Sequence, residues 1–220
     1  TKRTSPLTLK LYCFGESGNA YKAALTLELS GLPWEAVYVD FFGGEARSDA
    51  FKSNVNAMGE VPALIDTDHD YTITQSGAIQ DYIVHLSQKL TGDSPETRRE
   101  VLRWVLWDNH KLSSVAGPTR FLMNFLSEDK RPKEVITFNQ SRLKAVYAVL
   151  NDHLADKDWI VGPSITVADI SCCGYLFYPE PFAFSRAEWP HIDAWLTRIE
   201  KTPGWKHPYD LMPGSPADRA

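Results

Sequence analysis

Two short polar clusters and one loop hold the residues able to do chemistry. In the first cluster, Glu60-Val61-Pro62 runs into the apolar stretch Ala63-Leu64-Ile65. A proline at the head of a strand removes no ladder bond, and a cis Val61-Pro62 peptide would turn the neighbouring amide and carbonyl outward, so Val61 could pair with a ligand's backbone. In the second cluster, Gln75 and Ser76 follow Thr72-Ile73-Thr74. Their side chains are of the kind that orient an amino acid's ammonium and carboxylate, so the expected ligand is peptide-like and acidic. The loop Gly15-Glu16-Ser17-Gly18-Asn19 brings a hydroxyl and an amide to a helix start. Ser17 is the leading candidate for chemistry and Asn19 the second. Serine is also a preferred N-cap, so a purely capping role for Ser17 is the competing reading. Tyr12 and Cys13 sit inside the preceding strand pattern, where packing is the expected role.

The elements that must position these groups follow from periodicity. Leu7 to Phe14 alternates as a strand, and Ala20 to Ser30 reads as a helix stopped by Gly31 and Pro33. Trp34 to Asp40 is a second strand, followed by an irregular connection with a short helical piece around Ala46 to Lys52. The strands around Pro62 and Ile73 can form a hairpin through Asp68-His69-Asp70. Gly77 to Leu90 then has helical spacing through Ile79, Tyr82, Ile83 and Leu86. This β-α-β-α-β-β-α order suits a thioredoxin-like mixed sheet. After the breaker cluster Thr91-Gly92-Asp93-Ser94-Pro95 only helical signals remain. The expectation is an α/β domain over 1–90 and an all-helical domain over 91–220. The second would hold helices over Val101 to Leu112, Pro118 to Leu126, a long stripe of Ile136, Leu143, Tyr147, Leu150 and Leu154, and a helix through Tyr178. That last helix opens with Thr166-Val167-Ala168-Asp169, a capping box with Ile165 and Ile170 at the staple positions. The tail from His207 to Ala220 reads as extended or mobile.

The stretch from Asn56 to Leu64, followed by Gln75-Ser76-Gly77-Ala78-Ile79, resembles the glutathione transferase family, whose first domain carries N-P-x-G-x-V-P-x-L and then E/Q-S-x-A-I. The chain departs from that pattern at Ala57, where proline is usual, and at Glu60, where a neutral or basic residue is common. The Thr166 box, the run Trp189 to Trp195 and Pro203-Gly204 resemble the family's helical domain, so the likeness covers most of Leu7 to Trp205. Ser17-Gly18-Asn19-Ala20-Tyr21-Lys22 is similar to the family's serine-type loop, in which the hydroxyl hydrogen-bonds the sulfur of glutathione. Ser17 and Asn19 would be the catalytic pair. Ser17, Arg47, Glu60, Val61, Pro62, Gln75 and Ser76 would bind glutathione, with Lys52 the alternative to Arg47 for the glycine carboxylate. The resemblance also implies a symmetric homodimer and a conjugating, detoxifying activity. A second-substrate pocket is expected from Phe14, Trp104, Trp107, Asp108 and Lys111, and its aromatic lining suits an apolar electrophile. A glutathione-dependent disulfide or peroxide reductase, or a non-catalytic binding module, would use the same fold.

The serine role has a magnitude. Lowering a thiol from about 8.5 by roughly two units takes about 2.7 kcal/mol of thiolate stabilisation. A helix N-terminus supplies about 0.3 to 1 kcal/mol, and a hydrogen bond to the charged sulfur adds about 1.5 to 3. The hydroxyl is therefore needed as a donor, not as a nucleophile.

Composition narrows the class. The 220 residues carry a formal net charge of -5, which argues against non-specific nucleic-acid binding. No apolar run is long enough for a bilayer and no signal-type segment opens the sequence, so a soluble cytoplasmic protein without a membrane partner is expected. Three cysteines, two of them adjacent at Cys172-Cys173, give neither a disulfide framework nor metal spacing, and His110 has no metal-like partner, so no metal is expected.

Overall fold

The computed structural model describes residues 9–216. Leu7 and Thr8 of the expected first strand, and residues 217–220 of the expected tail, lie outside the described residues. The described residues divide into two compact units, 9–89 together with 204–216, and 90–203.

In the first unit, β1 (Leu9–Cys13), β2 (Trp34–Tyr38), β3 (Ala63–Asp66) and β4 (Tyr71–Thr74) form a sheet in the order β2-β1-β3-β4. β1 is parallel to β2 and antiparallel to β3, and β3 and β4 make an antiparallel hairpin. The parallel pair needs a crossover, which α1 (Gly18–Ser30) supplies. Leu9, Leu11 and Cys13 alternate into the core of β1, all fully buried. α1 packs on α3 (Ser76–Ser87), and the buried amide of Gln80 donates to Thr26 Oγ1 at 3.2 Å across the two helices. The mixed sheet is the expected thioredoxin-like arrangement. The connection after β2 is more finely divided than its pattern implied: a 3-10 turn at Glu45–Arg47 precedes α2 (Asp49–Asn54), because Ser48 interrupts and caps the second helix, accepting from Phe51 N at 3.1 Å.

The second unit holds α4 (Pro95–Trp107), α5 (Ser113–Asn124), α6 (Lys133–His153), α7 (Val167–Cys173) and α8 (Pro190–Glu200), with no strand among its described residues. The expected helix over Val101 to Leu112 starts earlier, because the breaker cluster is itself a helix start: Ser94 and Thr97 form a capping box with Pro95 in the first turn. It also does not end at Leu112. Asp108–Leu112 is a π-helical turn that hands over directly to α5, and the carboxylate of Asp108 anchors it by accepting from Ser113 Oγ at 2.7 Å and Ser171 Oγ at 2.6 Å. The Thr166 box forms as read: Asp169 Oδ2 accepts from Thr166 N at 2.9 Å, while Thr166 Oγ1 accepts from Ala168 N at 3.2 Å. Asp169 Oδ1 additionally accepts from Ile160 N and from Trp195 Nε1, each at 2.9 Å, so one buried carboxylate joins α7, α8 and the loop before them. α7 stops at Cys173 and the chain turns before Tyr178. No helix among the described residues is long and apolar enough to cross a membrane.

The tail departs from the extended or mobile segment expected of it. From Gly204 the chain rejoins the first unit, where α9 (Pro208–Leu211) packs on α1 and Leu211 and Met212 are buried. Its prolines and polar residues masked that short apolar pair.

Candidate functional site

The strand register gathers the candidate residues of the first unit at one end of the sheet. Tyr12 pairs with Ala63, and Ala63 pairs with Thr74. The chain leaving β1 toward Ser17, the Val61-Pro62 peptide entering β3, and Gln75-Ser76 leaving β4 therefore share that end. Val61-Pro62 is cis, and the β3 ladder begins only at Ala63, which leaves the Val61 backbone outside it.

Ser17 is the N-cap of α1 and is 8% exposed. Its Oγ accepts from Ala20 N at 3.1 Å, so the competing capping role is real. That bond uses one lone pair and leaves the hydroxyl proton able to donate; capping and donation do not exclude each other. Asn19, in the first turn of α1, has a buried Oδ1 that meets no donor among the described residues. Cys13 is fully buried in β1, and burial pushes its thiol up to about 12, so it holds no thiolate near neutral pH. Tyr12 stands edge-on to Phe51 with ring centres 6.3 Å apart.

Gln75 takes a left-handed φ of 70° at the start of α3, and its Nε2 donates to Glu60 Oε2 at 3.2 Å. These two exposed side chains, far apart in sequence, thus form one polar pair. Ser76 occupies the first turn of α3 and is 5% exposed. A twelve-residue helix there directs its N-terminal partial positive charge at any carboxylate bound beside it.

Of the two basic candidates, Arg47 is exposed on its 3-10 turn. The stem of Lys52 lies against Gly59, with its Cε 3.1 Å from where a Cβ would stand. Lys52 is therefore the cation whose contact with the loop before Val61 is explicit.

Asn56 was not singled out from sequence, yet it organises that loop. Nearly buried, it donates through Nδ2 to Glu60 O at 2.8 Å and accepts from Met58 N at 3.0 Å through Oδ1. The signal available was an Asn followed by Gly three residues later, a loop-forming pair. Phe41 and Phe42 were also passed over. Phe14 stacks on Phe41 with ring centres 4.7 Å apart and meets Phe42 edge-on at 5.9 Å, so Phe14 is largely enclosed and Phe42 carries more of the open aromatic surface.

The residues expected to wall a second-substrate pocket from the helical unit fare unevenly. Asp108 is fully buried and bonded to two serines, so it cannot line an open pocket; it is an anchor of the π turn. Trp104 is 4% exposed, packed edge-on to Trp107 at 5.0 Å and against His153 at 4.4 Å, which makes it core. Trp107 is half-buried and Lys111 exposed. Among the described residues no group of three or more His, Cys, Asp or Glu could hold a metal ion.

Comparison with known proteins gives a consistent picture. Residues 7–85 match the glutathione S-transferase N-terminal domain and residues 117–203 the C-terminal domain. A solved structure of a possible glutathione S-transferase from Rhodopseudomonas palustris is 31% identical, with a TM-score of 0.83 over 91% of this chain and 97% of that one. A glutathione transferase family member from Pseudomonas fluorescens, solved with two glutathione bound, shares the fold at 24% identity and a TM-score of 0.79, covering 89% of both chains. Elongation factor 1-gamma of Danio rerio is 30% identical over 208 residues, which span 89% of this chain but 44% of that protein. With both domain models matched in order and a full-length relative above 30% identity, the chain belongs to the glutathione transferase family.

Proposed function

We propose that this chain binds glutathione, lowers the pKa of its thiol and presents the thiolate to an apolar electrophile. One observation carries the reading: the Ser17 hydroxyl, the Val61 backbone beside a cis proline, and the Gln75-Ser76 start of α3 share one end of the sheet. In this reading the cysteine backbone of glutathione pairs with Val61. Its γ-glutamyl carboxylate meets Ser76 and the N-terminus of α3, and its ammonium meets the Gln75-Glu60 pair. Lys52, with Arg47 as the alternative, balances the glycine carboxylate. The sulfur then faces Ser17, whose O–H donates a hydrogen bond to the thiolate while its oxygen continues to cap α1. Asn19 is the auxiliary group. Holding the thiolate and electrophile together supplies the remaining acceleration. The enzyme is proposed to act in the cytoplasm as a two-fold homodimer, which a single-chain mass in light scattering would reject.

Isothermal calorimetry tests the binding half. Combining Gln75→Ala with Ser76→Ala should weaken glutathione binding strongly, since each lost bond to a charged group costs about 1.5 to 3 kcal/mol. Unchanged affinity would remove the site assignment. A relative named as an elongation factor and not as a transferase favours a second reading, a binding module without turnover. Glutathione binding with an undepressed thiol pKa, and no turnover with a panel of electrophiles, mixed disulfides and peroxides, would select it; turnover of the disulfides or peroxides alone would select a reductase.

A further inference from the structure

The loop that carries Ser17 is held by a part of the chain some 190 residues away. Gly15 N donates to Pro213 O at 2.7 Å, two residues before Ser17. The contact admits no side chain: a Cβ on Gly15 would stand 1.7 Å from Gly214 O and 3.1 Å from Tyr209 Cδ1. Gly214 in turn has a left-handed φ of 80°, and a Cβ there would meet the Tyr38 ring at 2.6 Å. Tyr38 ends β2 and pairs with Cys13, so the tail is wedged where β1 becomes the Ser17 loop. On the other side of Ser17, Tyr21 donates through its hydroxyl to Lys206 O at 2.9 Å, and Lys206 Nζ pairs with Glu28 at 2.7 Å. Between these anchor points, α9 packs on α1 and buries Leu211 and Met212.

We propose that the segment from Lys206 to Gly214 is a positioning element for Ser17: by fixing Gly15 and Tyr21 it sets where the hydroxyl proton points, so thiol activation depends on it more than glutathione capture does. The proposal rests on the reading above that Ser17 stabilises the thiolate. The separation follows from where the groups sit. Val61 precedes β3, and Gln75 and Ser76 open α3, whereas the segment's bonds fall on the Ser17 loop and α1. Gly15 and Pro213 are positioning residues, since neither has a side chain to offer the sulfur.

The test compares the parent with Gly15→Ala, Met212→Ala and a chain ending at Lys206. Each is checked for native circular dichroism, then measured for glutathione affinity by calorimetry and for the pKa of bound glutathione by thiolate absorbance. The expected result is a bound-thiol pKa raised by about one unit, a fall of up to about tenfold in thiolate fraction at neutral pH, with affinity within about threefold of the parent. Folded variants that titrate like the parent would overturn the proposal, and so would an affinity loss in step with the pKa change, which would mark general support of the site. A parent that binds glutathione without depressing its pKa would instead fail the underlying reading. Amide exchange in the parent tests the anchor itself without any variant: Gly15 N–H should be protected together with Met212 N–H, and exchange of Gly15 at the rate of an exposed amide would overturn the proposal.

Discussion

Asn56→Ala probes how the proposed glutathione-binding loop is kept in shape. The side chain is 5% exposed and makes two bonds within the loop, to Glu60 O at 2.8 Å and from Met58 N at 3.0 Å. Each is a neutral hydrogen bond worth about 0.5 to 1.5 kcal/mol net, so their joint loss should cost about 2 kcal/mol. For a chain of this size that lowers the Tm by roughly 4 to 8 °C. The same loop ends at the Val61-Pro62 peptide and presents Glu60 to Gln75, so part of the loss should appear in binding. If all of it did, glutathione Kd would rise about thirtyfold, which is the ceiling. Asn56→Asp separates the two bonds: it keeps an acceptor for Met58 N but sets a carboxylate against the Glu60 carbonyl, and should be at least as harmful as alanine. Scanning fluorimetry and calorimetry read both quantities. An Asn56→Ala protein with parental Tm and parental Kd would refute the assignment of Asn56 as the clasp of the site.

Two further outcomes concern the frame around the site. Burial opposes the charge on Asp66, but bonds from Tyr82 at 2.6 Å, His69 at 2.7 Å and two backbone amides outweigh it and hold the carboxyl below the usual range. A depressed folded pKa gives stability that is present above the unfolded value near 3.9 and lost as pH falls through the folded one. Urea titrations should thus find Asp66→Asn about 2 kcal/mol less stable than the parent at neutral pH, with the gap narrowing as pH falls below the unfolded value; a gap that stays constant with pH would contradict this. Asp169→Ala should strand three buried N–H groups, of Ile160, Thr166 and Trp195, and cost about 3 to 5 kcal/mol, whereas a loss under about 1 kcal/mol would show that the carboxylate is not the junction described.

What could be read from sequence was what depends on local order. Alternation placed β1, and the Thr166-Asp169 spacing placed a cap that forms in full, because both are settled by neighbours in the chain. The candidate residues Ser17, Val61, Gln75 and Ser76 stood out because strand ends and helix starts have recognisable residue types. Asp108 misled because it follows two tryptophans on a helix; its burial depends on Ser171, 63 residues later. The π turn had no signature of its own, since an i to i+5 bond pattern leaves no distinct periodicity over one turn. The tail was misread for a similar reason: Leu211 and Met212 are too few to show an apolar stripe, and their partner surface on α1 is supplied from the start of the chain.

The central claim is that Ser17 stabilises the glutathione thiolate, and the ultraviolet titration of bound glutathione tests it most directly. In the parent the bound thiol should ionise well below its free value of about 8.5, and Ser17→Ala should raise that pKa by about one to two units, the equivalent of about 1.4 to 2.7 kcal/mol, with much less effect on affinity. Asn19→Ala should shift it less, and Cys13→Ala, whose thiol is fully buried in β1, almost not at all. A Ser17→Ala protein that keeps the depressed pKa and the full conjugation rate, while loss of Asn19 or Cys13 abolishes both, would contradict the account and pass the role to that other group.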